Sequence, residues 1–346
     1  MKPEPQGGAR VEVRPLGEAD VAELIACVRR CYGETYGESG FYDEDWLIAQ
    51  MRSRRLLSVG ACDEERVVGH IGTTVTRPDD AVGDTVAAMV EPGYRGRGLV
   101  HEMGRLLFAM FQERGIVATR HLATGTHLRT QRPLAESSAV PTGVLLGHVR
   151  AGTAFRGIEH RFDHHRIGVV AYFQRYGDLE DFDIHLPVHY ASVLTKLYER
   201  AGLRRHEKPP IAVTTTSRHD EPTTDITVQD NHRANVSTVH ITATLDARIS
   251  TAELADALEH REEVTYVDVP LAHPDCPAAV EWLRGRGFIF GALLPGTVDS
   301  ERVRMQHVLA DQVKPDAIEC ATAEGTTLRD SIASELANPG QAGRGL

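Results

Sequence analysis

The stretch DTVAAMVEPGYRGRGLVHEMGRLLFAMFQERG, residues 84–115, decides how the rest of the chain is read. Asp84–Val90 is a short apolar run that stops at Pro92, which suits the end of a strand. Arg95-Gly96-Arg97-Gly98 follows. Glycines at alternate positions let the backbone turn its N–H groups toward a ligand. Leu99, Met103, Leu106, Leu107, Met110 and Phe111 then form one apolar stripe at helical spacing, and Gly115 is a natural stop. A loop that opens onto a helix brings orphan amides and the positive end of the dipole to one point, which makes an anion site. Arg95 and Arg97 can add charge-assisted bonds to phosphate oxygens.

Working outward, Arg10–Pro15 alternates as a strand and Glu18–Tyr32 carries Val21, Leu24, Ile25 and Val28 at helical spacing, with Asp20 as the expected cap. Tyr32–Tyr42 is a loop rich in Gly and Tyr, and Asp43–Arg52 a second short helix. Leu56–Cys62 and Arg66–Thr76 read as strands. After the long helix come strand Arg120–Thr126, helix Thr130–Ser138 and strand Gly143–Val149. The order is α/β, with a crossover helix placed directly after the glycine loop.

A chain of 346 residues suits two domains. The expected division is a first domain over 1–150, a polar connector over 151–165, a second domain over 166–338 and a flexible tail over 339–346. The second part reads as strand Ile167–Gln174, helix Pro187–Gly202, a strand within Lys208–Arg218, a turn at Asp220–Thr223, strand Ser237–Thr244, helix Thr251–His260, strand Val264–Val269, helix Pro277–Gly285 and strand Phe288–Leu294. Late strands are expected at Arg302–Val308 and Ala317–Cys320, and a last helix at Thr326–Ala337.

A net charge of −11 argues against a protein that coats nucleic acid. Five cysteines without CxxC spacing argue against a disulfide framework and against a zinc site, and Cys27 and Cys31 read as core residues. His160 and His164 have helical metal-ligand spacing, but no third ligand lies nearby, so no metal is expected. The first residues lack an apolar signal region, and no run approaches the length of a membrane span, so a cytoplasmic protein without membrane contact is expected.

Val90-x-Pro92-x-Tyr94-Arg95-Gly96-x-Gly98-Leu99 resembles the acetyl-coenzyme A pyrophosphate loop of the GNAT acetyltransferase family. Arg95 and Gly98 fit the family pattern Gln/Arg-x-x-Gly-x-Gly/Ala, whose last position is Val100 here. The resemblance implies an acyl-coenzyme A donor held by Arg95, Gly96, Arg97, Gly98, Leu99 and Val100, with strand residues Ala88, Met89 and Val90 pairing with the pantetheine arm. Tyr32-Gly33-x-Thr35-Tyr36, Phe41-Tyr42-Asp43, Val68-Gly69-His70 and Thr126-His127-x-x-Thr130-Gln131-Arg132 resemble a subgroup of large members. Ala279-x-x-Trp282-Leu283 through Gly287-Phe288 is similar to the end of a second unit. No glycine loop lies between Arg166 and His273, so that unit is read as degenerate. The implied architecture is two GNAT-like domains in tandem, each a mixed central sheet flanked by helices.

The resemblance implies an N-acyltransferase that moves an acyl group, acetyl foremost, directly to a small-molecule amine. Amine acylation needs a base and oxyanion donors, and often an acid for the thiolate. The family's Tyr acid is absent from Thr130–Ser138, where Ser137 and Ser138 are the nearest hydroxyls. His127, Gln131 and Glu91 are the catalytic candidates, and Tyr32, Tyr36, Tyr42 and His70 the substrate-binding ones. Two alternatives stay open. One is an aminoacyl-tRNA donor, which predicts a basic groove around Arg52, Arg54 and Arg55 or around Arg204 and Arg205. The other is a non-catalytic acyl-coenzyme A sensor.

Overall fold

A computed structural model describes residues 11–162, 164–209, 225–242, 248–259 and 262–338. The fold is α/β, with mixed sheet and flanking helices. Its contacts divide the chain into two compact units, Met1–Thr119 with Thr153–Glu159, and Arg120–Gly152 with His160–Leu346.

The first unit contains β1 (Glu12–Pro15), α1 (Val21–Tyr32), α2 (Glu44–Arg52), β2 (Leu56–Asp63), β3 (Arg66–Thr74), β4 (Val82–Val90) and α3 (Leu99–Arg114). Its strands follow the order β1-β2-β3-β4, each antiparallel to the next. The apolar stripe of α1 buries Val21, Leu24, Ile25, Cys27, Val28 and Cys31. Helix α3 buries Leu99, Met103, Leu107 and Phe111, while Leu106 and Met110 flank the stripe half-buried. Gly115 ends α3 in the left-handed conformation, which spares a Cβ the clash with the preceding carbonyl. Asp43 caps α2 by accepting the Trp46 amide. Asp20 precedes α1 but makes no cap bond, because its carboxylate is taken by Arg14 and the Gly17 amide.

The division between the units falls within β5 (Ala118–Thr124). The second unit continues with α4 (Gln131–Glu136), β6 (Val140–Val149), β7 (Ile167–Arg175), β8 (Phe182–Ile184), α5 (Ala191–Ala201), β9 (Arg205–Glu207), β10 (Asp225–Asn231) and β11 (Val236–Thr242). It ends with α6 (Thr251–Ala257), β12 (Val264–Pro270), α7 (Cys276–Arg284), β13 (Ile289–Leu294), β14 (Arg302–Val308) and α8 (Ala323–Ala337). The strand order is β5-β7-β6-β13-β14-β12-β11-β10, with β8 and β9 as a separate parallel pair.

One arrangement occurs twice in this order. Strand, helix, strand, strand runs β5-α4-β6-β7, and β7 inserts between β5 and β6. The same run, β12-α7-β13-β14, inserts β14 between β12 and β13. Strands β6 and β13 meet antiparallel where Gly143 faces Ala292. A Cβ on Gly143 would lie 2.2 Å from the Gly291 carbonyl oxygen, so only glycine permits this approach.

Ala317–Cys320 is not the expected strand: a 3-10 turn occupies Pro315–Ala317. Pro187–Tyr190 is not the first turn of α5, since Val188–Tyr190 forms a separate 3-10 turn. His160 and His164 lie outside any helix. The strand expected from 210 to 218, the turn at 220–223 and the tail from 339 lie outside the described residues. No described helix is long and apolar enough to cross a membrane. Among the described residues no group of three or more His, Cys, Asp or Glu is placed to hold a metal ion.

Candidate functional site

Strand β4 delivers the chain to Glu91, whose amide donates to Val68 at 2.9 Å, and a 3-10 turn over Pro92–Tyr94 leads into the loop. Gly96 and Gly98 adopt φ of 77° and 79°, a region closed to most side chains, and no atom would meet a Cβ on either within 4 Å. The Gly98 carbonyl accepts the amides of His101 and Glu102 and so starts α3. Among the described residues, the amides of Gly96, Arg97, Gly98, Leu99 and Val100 have no backbone acceptor. Five consecutive N–H groups at a helix N-terminus suit an anion. Val100 is 45% exposed and crowds nothing in the protein.

The two arginines serve the loop itself. Arg95 donates from Nε to the Val90 carbonyl at 2.9 Å and from Nη1 to the Arg156 carbonyl at 2.7 Å. Residues 153–159 form a strap there: the Arg156 amide donates to Cys31, the Ala154 amide to the Thr35 hydroxyl, and Phe155 packs edge-on to Tyr32. Arg97 lies over the Tyr94 ring and donates to the Gly93 carbonyl. The backbone therefore supplies the unengaged donors, and Arg95 and Arg97 fix the loop's shape.

Strand β4 carries a bulge. Met89 pairs with His70 and Val86 with Gly72, so Ala87 and Ala88 stand opposite the single residue Ile71. Ala87 has φ of +50°, and Ala88 is exposed while Met89 and Val90 are buried. His70, expected in substrate binding, is fully buried. Its Nδ1 lies 2.9 Å from the Ala87 carbonyl oxygen and its Nε2 2.8 Å from the Ser58 hydroxyl. A carbonyl can only accept, so Nδ1 carries the proton and Ser58 donates to Nε2. Burial pushes the imidazole down to about 4, which keeps it neutral near neutral pH. The linkage has a definite sign. Above the unfolded pKa of about 6.5 both states are neutral, and as pH falls from there to about 4 only the unfolded chain takes the proton. Lowering the pH from 7 to 5 should therefore cost the wild type about 2 kcal/mol more unfolding free energy than His70→Asn, measured by urea titration.

Tyr32 and Tyr36 stack at 4.9 Å, and Phe41 meets Tyr36 and His70 edge-on. Tyr42 is structural: its hydroxyl accepts the Tyr36 amide and donates to the Gly33 carbonyl. Burial holds the Tyr36 phenol well above the usual range, and the Ala87 amide works against that shift. Glu91 bridges Arg30 and Arg66 with both carboxylate oxygens from a buried position. Glu38 was missed by sequence reasoning. Among the described residues its side chain makes no ion pair or hydrogen bond; the residue is exposed, and partial desolvation pushes its carboxyl above the ordinary range.

In the second unit Gln131 is fully buried. Its Nε2 donates to Thr124 and Glu319, and its Oε1 accepts from the Tyr172 hydroxyl and the Ala321 amide, so every donor and acceptor of the amide is used. His127 Nδ1 accepts the Arg129 amide at 3.2 Å, which places the proton of the neutral ring on Nε2. Of the arginines expected to form a basic groove, Arg52, Arg54 and Arg55 or Arg204 and Arg205, three are held in ion pairs among the described residues. Arg52 pairs with Glu18, Arg204 with Asp181, and buried Arg205 with Glu301.

Among curated proteins none matches the sequence. Solved structures of low identity resemble part of it. A ribosomal-protein-S5-alanine acetyltransferase from Vibrio fischeri is 13% identical over 50% of this chain and 98% of its own, with a TM-score of 0.38. An N-acetyltransferase from Staphylococcus aureus Mu50 is 12% identical over 49% and 100%, with a TM-score of 0.39. The PaiA N-acetyltransferase from Thermoplasma acidophilum, in complex with coenzyme A, is 14% identical over 49% and 100%, with a TM-score of 0.33. The acetyltransferase (GNAT) family model matches residues 21–137, and over those residues the chain carries a domain of that family.

Proposed function

We propose that the protein is an acyl-coenzyme A-dependent N-acyltransferase, acetyl being the first donor to test, acting on a small-molecule amine. The observation that carries this reading is the run of five amides at Gly96–Val100 without a backbone acceptor, at the N-terminus of α3. These groups fit a pyrophosphate, and exposed Ala88 on the bulged strand offers an edge to a pantetheine arm. The acceptor nitrogen attacks the thioester carbonyl carbon, the C–S bond breaks from a tetrahedral intermediate, and the proton lost by nitrogen balances the departing thiolate. Glu38, exposed on the Tyr32–Tyr42 loop, offers the acceptor's ammonium a carboxylate that has no ion-pair partner among the described residues. The Tyr32–Tyr36 stack offers that acceptor an apolar flank.

Residues 225–308 support a second, degenerate GNAT-like unit, so we read the chain as two such domains in tandem. The duplicated strand order carries this part of the reading. Parallel β11 and β12 stay in register from Val236–Val264 to His240–Asp268, and the sequence between Arg166 and His273 carries no loop of the Arg/Gln-x-x-Gly-x-Gly type, which is why we read this unit as degenerate.

Calorimetric titration with acetyl-coenzyme A should give saturable heat at one site per chain. Intact-mass analysis of an amine panel should then find one acceptor gaining the mass of an acetyl group. Absence of coenzyme binding would sink the reading. Binding without turnover across the panel would leave a sensor.

A further inference from the structure

The buried imidazole of His70 stands behind the strand that leads to the glycine loop. Ala87 is one of five described non-glycine residues with positive φ, a conformation that L-residues disfavour. His70 holds it there, and the imidazole is itself fixed by Ser58 and Phe41. His70 Nδ1 donates to the Ala87 carbonyl at 2.9 Å, Ser58 donates to Nε2 at 2.8 Å, and the Phe41 ring packs against the imidazole at 5.7 Å. Gly72 makes the space, since a Cβ there would lie 3.1 Å from the ring. The bulge changes which way the following residues face, so that Ala88 is exposed between buried Ala87 and Met89.

We propose that His70 is a positioning residue for the coenzyme: it pins the Ala87 bulge and thereby sets the Ala88–Val90 edge against the pantetheine arm. The inference rests on the acyl-coenzyme A reading of the loop, and it separates two parts of one ligand. The nucleotide end is met by the loop amides, which His70 does not touch. The pantetheine arm is met by the strand, whose bulge His70 holds.

The test is calorimetric titration of the full chain with acetyl-coenzyme A and with 3′-phospho-ADP, which lacks the arm. His70→Leu removes the donor and should weaken acetyl-coenzyme A at least about tenfold, while 3′-phospho-ADP changes by less than about twofold. His70→Asn should restore acetyl-coenzyme A to within about threefold of the wild type, because the Asn amide nitrogen is as many bonds from the backbone as Nδ1. Ser58→Ala frees the ring from its tautomer and should cost about threefold, and it replaces His70→Leu should that variant not fold. Wild-type protein that takes up neither ligand removes the coenzyme reading itself. Wild-type binding that His70→Leu, or Ser58→Ala in its place, leaves unchanged overturns the role of His70 alone. Equal weakening of both ligands also overturns it, since a general loosening does not distinguish the arm from the nucleotide.

Discussion

Replacing Gly98 with valine should weaken acetyl-coenzyme A about 100-fold while the chain stays folded. Gly98 has φ of +79° and supplies the carbonyl that starts α3. A β-branched residue there must either pay the left-handed penalty or turn its peptide. Turning the peptide swings the amides of Gly98 and Leu99 away from their common focus. Two hydrogen bonds to an anionic group, at about 1.5–3 kcal/mol each, account for a loss of that size even when water replaces part of it. The fold should survive because no atom lies within 4 Å of where the Cβ would sit. Calorimetry gives the affinity and circular dichroism the fold. Unchanged affinity would show that the phosphates bind elsewhere.

The largest loss of stability is expected from Glu301→Ala in the second unit. The carboxylate of Glu301 is fully buried and accepts from Arg205 Nε and Nη2, from the Tyr198 hydroxyl at 2.7 Å and from the Gly296 amide at 3.2 Å. The Arg205 side chain is 1% exposed and sits over the Phe182 ring. Removing the carboxylate strands a buried cation, which costs about 3–5 kcal/mol. The pair itself need not be stabilising, since desolvation offsets most of its attraction. The double variant Arg205→Met with Glu301→Leu should therefore recover more than half of the loss, the remainder being the Tyr198 and Gly296 donors left without an acceptor. Urea unfolding of the three variants measures both effects. A double variant less stable than Glu301→Ala would contradict this account.

Regular, amphipathic and glycine-punctuated segments were legible from the chain alone. Helix α3 declared itself because its stripe, its opening glycine and its closing Gly115 agree. Strands β12 and β13 were legible because burial on both faces gives apolar runs. Strand β10 was missed: it is a mostly exposed strand at the end of the sheet order, so Asp225–Asn231 carries no hydrophobic alternation to read. The parallel pair β8 and β9 was missed because three-residue strands have no period, and 20 residues separate Ile184 from Arg205.

The sequence by itself determined that a strand, a loop with two left-handed glycines and an amphipathic helix would follow one another, because φ preference and helical periodicity are local properties. It also supplied the residue types from which a site could be drawn. Which of them are available was decided by tertiary contacts. Gln131 is used up by four partners, Glu91 by two arginines, Arg95 by two carbonyls and His70 by a bulge seventeen residues away. A polar side chain's role depends on whether its donors and acceptors are already satisfied, and the partners that satisfy them come from distant parts of the chain. For the same reason the loop's unengaged donors are its amides, while the arginines that made the loop conspicuous are held by carbonyls and a ring.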